Sequence, residues 1–175
     1  MKWFAFVLAA LIGVGCGNNA AYPLAMNTNA VSPPGMPALP THAQPKLPTI
    51  KLWMGSEEVA AELALTEEQQ RVGMMFRTNI EENSGMLFVF AGPSRQSFWM
   101  KNCPESLAGA YIDPNGRILQ LIDMHAQDET PIVARSVDVQ YVLEMKEGWF
   151  KRHNIVEGTL IRTEKGSLRE TFFGQ

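Results

Sequence analysis

The chain has 175 residues, 46% of them apolar and 19% charged, with a formal net charge of −3 and two cysteines. The length suits one ordinary domain, and the composition suits a globular chain rather than a disordered one. Both exclude a basic nucleic-acid binder, a polybasic membrane-surface protein, a disulfide framework and a zinc site built from cysteines.

At the N-terminus, Lys2 precedes an apolar run from Trp3 to Val14. The run is too short to span a bilayer as a helix and fits a signal-peptide core. It ends in Gly13-Val14-Gly15 followed by Cys16, which resembles the lipobox of bacterial lipoproteins, with Gly13 standing where Leu is usual. Residues 1–15 are therefore expected to be a signal peptide, and Cys16 the lipidated N-terminus of the mature chain. An ordinary secretory signal with an incidental cysteine is the alternative. Two or more acyl chains hold stably, at about 0.8 kcal/mol per buried CH₂. Gly17 after the cysteine favours the outer membrane, facing the periplasm.

Residues 16–48 form the next segment. Seven of the eleven prolines fall between Pro23 and Pro48, and no charged side chain occurs from Gly17 to Pro45. Such a stretch cannot bury a core and reads as a disordered linker, a coil of about 30 Å between lipid and domain. His42 within it is expected to be solvated.

A single β-rich domain is expected over residues 49–175. Ile50, Leu52 and Met54 alternate, and Val59, Ala61, Leu63 and Leu65 alternate again after Gly55-Ser56. These read as two strands. Thr66-Glu67-Glu68-Gln69 is a capping box, predicting a helix from Glu67 to about Met75 with Val72 and Met75 or Phe76 facing the core. Gly85 to Phe90 is a buried strand, and Ser97 to Lys101 another. Leu107–Ile112 and Arg117–Met124 flank Asp113-Pro114-Asn115-Gly116, a hairpin turn. Val139 to Met145 is a strand, Gly148 to Asn154 a short helix, and Leu160–Arg162 and Leu168–Phe173 closing strands. The expected fold is mainly β (β-rich α+β), an antiparallel barrel- or sandwich-like domain with one or two short helices.

The order of motifs resembles the family called domain of unknown function 192. Gly73-Met74-Met75-Phe76-Arg77, Gly85-Met86-Leu87-Phe88-Val89-Phe90, Phe98-Trp99-Met100-Lys101-Asn102, Tyr111-Ile112-Asp113 and Tyr141-Val142-Leu143-Glu144 carry the resemblance over roughly residues 50–163. It implies a compact β-rich fold, often secreted or membrane-anchored, and no established catalytic activity. Three positions depart from the family pattern. Cys103 stands for Thr or Val, Ser106-Leu107-Ala108 for Pro-Leu-Asp, and Gly158-Thr159 for Gly-Asp. Any chemistry that those acids serve elsewhere should be lost here.

Arg77, Lys101, Asn102 and Glu144 border apolar strands and are the candidate ligand-binding set, for an anion or carbohydrate. The alternative is a structural network such as Arg77–Glu144. Cys103 is a candidate redox or metal thiol, or simply a small core residue. Asp123, His125 and Asp128, with Glu129, are the candidate metal ligands, against a solvated acidic loop. Seven methionines between Met54 and Met145 would suit Cu(I), or ordinary packing. Trp53, Trp99 and Trp149 could stack a sugar, or pack. Glu81 and Glu82, adjacent in a polar loop, make a poor acid/base pair. Catalytic residues remain unassigned, and no cofactor is expected.

The sequence thus points to a lipid-anchored cell-envelope protein whose domain binds a ligand or partner without turnover. Its expected contacts are the membrane, through Cys16, and an envelope glycan or protein. An envelope-polymer hydrolase, a metal-handling protein and a structural or assembly lipoprotein are the alternatives.

Overall fold

The computed structural model describes residues 40–174, so the expected signal peptide, Cys16 and most of the linker lie outside the described residues. The two alternating segments pair as antiparallel strands β1 (Thr49–Met54) and β2 (Glu57–Ala64), joined by a turn at Gly55. The capping box forms at Thr66 and Gln69 and starts α1 (Glu67–Val72). Gly73, at φ 50°, ends that helix a turn earlier than expected. The chain returns parallel to β2 as β3 (Ser84–Ser94).

Three strands then build the middle of the sheet. Strand β5 (Leu107–Ile112) is buried along its whole length, β8 (Val139–Lys146) along all but its last residue, and β3 from Gly85 to Val89. Burial on both faces explains their continuous apolar runs. Strand β6 (Ile118–Met124) follows β5 through the expected hairpin. There the Asp113 carboxylate accepts from Asn115 and Arg117 N–H groups, and Gly116 takes φ 83°. A short ribbon pairs β4 (Ser97–Phe98) with β7 (Ile132–Val133). After α2 (Trp149–Arg152) come β9 (Ile161–Thr163), β10 (Gly166–Ser167) and α3 (Leu168–Phe173).

The eight-stranded sheet runs β10-β9-β1-β2-β3-β8-β5-β6 and is mixed, with β2 and β3 its parallel pair. It does not close into a barrel. Its margins meet at one bridge, Arg117 with Leu160, flanked by bonds from Ile118 N to Thr159 O and from Ile161 N to Gly116 O. Two apolar clusters occupy the two faces. One draws on β1, β2, β3, β5, β6, β8 and β9 and is plugged by Trp149 and Phe150 of α2 and Leu168 of α3. The other lies between β3, β5 and β8 and a cover made by α1, residues 74–76, Met100, Cys103 and Ala134.

Four expectations change. Residues 168–173 form a helix, because Ser167 and Glu170 make a second capping box and Leu168 and Phe172 face the core four residues apart. That raises the helices to three among the described residues. The expected strand at 97–101 stops at Phe98, where Met100 N–H bonds Asp128 O and Asn102 takes φ 56°. Finally, the end of the expected linker is docked. The Gln44 amide donates to the carbonyls of Gln69 and Gly73, and Leu47 N–H donates to Glu62. Leu47 packs on the second cluster, so this stretch gains apolar and polar contacts that its composition does not advertise. Among the described residues no helix is long and apolar enough to cross a membrane.

Candidate functional site

The turn after α1 positions the candidate arginine. Gly73 presses against the Phe88 ring, which a Cβ would approach to 3.2 Å. Phe76 then takes φ 60°, costly for an aromatic residue, and gives its N–H to Asn102 O at 2.7 Å. The Asn102 amide in turn lies 3.9 Å from Met75 Sδ. Two loops with left-handed residues thus lock together and aim Arg77 across the surface toward β2. Asn79 is a third such residue, and its N–H is held at 2.6 Å by Glu105.

Arg77 meets Glu62 of β2 in a forked pair, with Nη1 to Oε1 at 3.1 Å and Nη2 to Oε2 at 2.9 Å. The side chains are 17% and 12% exposed, which separates this pair from the exposed surface pairs. Glu62 Oε2 also accepts Leu47 N–H, and Arg77 Nη2 donates to Pro45 O. Arg77 Nε is buried and has no acceptor among the described residues. The pair forms one wall of a cleft of about 310 Å³, whose rim carries Lys46, Thr78, Asn79 and Glu81. Both charge signs and several amide and hydroxyl groups thus face one small space.

The expected set is only partly assembled. Arg77 and Asn102 come together through the locked loops. Lys101 turns away, pairing with Glu129 at 2.9 Å and lying 5.2 Å above the Trp99 ring. Glu144 is not the partner of Arg77. It lies on the second face of β8, 4% exposed, between Met86 of β3 and Gly109 of β5. Its carboxyl makes no hydrogen bond with any described residue. Burial raises its pKa from 4.5 to about 8, so it holds its proton at neutral pH. Burial, and then the nearby Glu144, push the Cys103 thiol up to about 12. Cys103 is therefore a poor nucleophile.

The candidate metal set does not assemble. Asp123, His125, Asp128 and Glu129 are exposed. Asp123 borders a separate hollow beside Phe150 and Ile155, and Asp128 is held by Thr130, which keeps its carboxyl below its usual pKa. Among the described residues no three His, Cys, Asp or Glu side chains could share a metal ion. Nor do the tryptophans form a platform. Trp149 is fully buried, stacked on His153 and bonded to Asn83, while Trp99 is 41% exposed. All seven methionines are buried, five of them in the second cluster. Glu82 is taken up by Arg152 at 2.8 Å, which holds its carboxyl low, whereas Glu81 lines the cleft.

Sequence reasoning missed Glu62, Lys46 and Asn79. Glu62 sits at a polar position of an alternating strand, and nothing local marks its partner 15 residues on. Lys46 belongs to a stretch whose composition says linker.

The solved structures most informative here share this fold. One, from Sinorhizobium meliloti and described as a proposed transcription regulator, is 28% identical, with a TM-score of 0.61 over 66% of this chain and 92% of its own. Another, a protein of unknown function from Novosphingobium aromaticivorans, is 28% identical, with a TM-score of 0.59 over 65% of this chain and 83% of its own. Comparison with curated proteins gives no match. The family model of DUF192, described as "Uncharacterized ACR", matches residues 50–163. That span holds all five motifs, the Arg77–Glu62 pair and the buried Glu144, and the chain belongs to the DUF192 family.

Proposed function

We propose that this protein is a lipid-anchored cell-envelope protein whose domain binds a peptidoglycan fragment in the Arg77 cleft without turning it over. The observation that carries the reading is the cleft wall itself: a partly buried Arg77–Glu62 fork, with Lys46, Thr78, Asn79 and Glu81 at the rim. Muropeptides present hydroxyls, acetamido groups, free amines and carboxylates on one small molecule. A mixed-charge cleft rich in amide and hydroxyl groups complements that chemistry, and a wholly apolar one would not. The anchoring half rests on Lys2, the run from Trp3 to Val14 and the small residues before Cys16. A linker after Cys16 would give the domain reach toward the cell wall. Of the two carboxylates that line the cleft, Glu62 is already engaged by Arg77 and Leu47 N–H, which favours binding over hydrolysis.

Two measurements test this. Detergent phase partitioning of cell extracts should place the wild type in the detergent phase and a Cys16→Ser variant in the aqueous phase. Wild type in the aqueous phase refutes the anchor. A thermal-shift titration with soluble muropeptides should raise the melting point, since ligand at 100 times its Kd adds about 2.7 kcal/mol. No shift at millimolar ligand refutes the binding half.

A further inference from the structure

The charges of the Arg77 cleft are of two kinds. Arg77 and Glu62 are spent on each other. Lys46 and Glu81 line the same cleft, and neither forms an ion pair with any described residue. Both are held by their backbones. Arg77 Nη2 donates to Pro45 O at 3.3 Å and Leu47 N–H donates to Glu62 Oε2 at 2.7 Å, so the fork grips the chain on either side of Lys46. The Gln44 amide clasps the same strap to the carbonyls of Gln69 and Gly73. Across the cleft, Asn79 N–H is held by Glu105, Glu82 pairs with Arg152 at 2.8 Å, and Glu81 O accepts Ser84 N–H. This anchoring fixes where each charged head can reach while leaving it without a counter-charge. That suits a ligand contact, because the ordering cost is met before the ligand arrives.

We propose that Lys46 and Glu81 together recognise a zwitterionic amino-acid terminus, its carboxylate on the Lys46 ammonium and its ammonium on the Glu81 carboxylate. The proposal rests on the muropeptide reading above and names the part of the ligand that is read: the free end of a diamino acid in the peptide stem. Arg77, Glu62 and Gln44 are positioning residues, acting through the strap that carries Lys46. Binding is non-covalent.

The test titrates the full chain with Cys16→Ser against three forms of one stem tripeptide ending in diaminopimelate. These are the free zwitterion, the form amidated at that end's carboxylate and the form acetylated at that end's amine. The zwitterion should bind about fivefold tighter than either blocked form. Lys46→Met should lose the penalty for amidation and keep that for acetylation, and Glu81→Gln should do the reverse. Lys46→Arg should restore the preference. Gln44→Ala, which loosens the strap, should shrink the amidation penalty alone, a pattern that a general loss of stability would not produce. Equal affinity for all three forms overturns the proposal and leaves the muropeptide reading standing; this comparison needs no variant of the cleft to fold. Penalties that persist in both charge variants place the contact elsewhere and also overturn it. No binding of any form at millimolar concentration overturns both readings.

Discussion

Replacing Glu144 by Gln removes one titrating proton from the middle of the sheet and changes its shape little. The acid has a pKa of about 8 in the folded state against 4.5 when free. Between those values the folded chain holds a proton that the unfolded chain has released. Stability therefore falls as pH rises through that window. The favourable contribution is complete below about 4.5 and is lost by about 8. Each unit of difference is worth 1.36 kcal/mol, so the whole window is worth about 5 kcal/mol. For a domain this size that is on the order of 15 °C in Tm. Urea unfolding of wild type and Glu144→Gln at half-unit steps from pH 4 to 9 reads it directly. The neutral amide adds a constant offset but no slope. The variant should therefore gain on the wild type by about 5 kcal/mol between pH 4.5 and 9. Parallel curves would refute the claim that this carboxyl is buried and unpaired.

Arg77→Met leaves the Glu62 carboxylate with the Leu47 N–H as its partner. Urea unfolding should show a loss of about 2–3 kcal/mol, and adding Glu62→Leu should recover much of it. Gly85→Ala drives a Cβ to 2.4 Å from the Glu144 carbonyl oxygen. Since that neighbour is backbone in a central strand, the cost should be about 3 kcal/mol, read as a fall in the chemical denaturation midpoint. Ser167→Ala breaks the capping box of α3. The expected loss is about 1 kcal/mol in thermal unfolding, with far-UV helicity otherwise retained.

The central strands were plain in the sequence because β3, β5 and β8 are buried on both faces, which leaves uninterrupted apolar runs that admit few readings. The hairpin at Asp113–Gly116 was equally plain, since its turn is made by its own four residues. The helix at 168–173 was misread as a strand. Its apolar residues fit a strand as well as a helix, and the decisive Ser167–Glu170 signature lies at its edge. The docking of Gln44 to Pro48 escaped notice because its partners, Gln69, Gly73, Glu62 and Arg77, lie 15 to 32 residues away. The same holds at the site. Arg77 was recognisable as a polar residue bordering an apolar motif. Its partner is set by the locked loops that aim it at β2, a tertiary fact, and so the alternative tie to Glu144 fell on the wrong carboxylate. Glu144 itself follows strand alternation onto a face that looks core-like everywhere else, and only the packed structure reveals it as alone.

The account stands most directly on where a muropeptide binds. Amide chemical shifts of the isotope-labelled Cys16→Ser chain, titrated with soluble muropeptides, give that location residue by residue. The account predicts saturable shifts confined to Lys46, Thr78, Asn79, Glu81 and their neighbours around the Arg77–Glu62 wall. Shifts clustered instead beside Phe150 and Ile155, or none at saturating ligand, would contradict it.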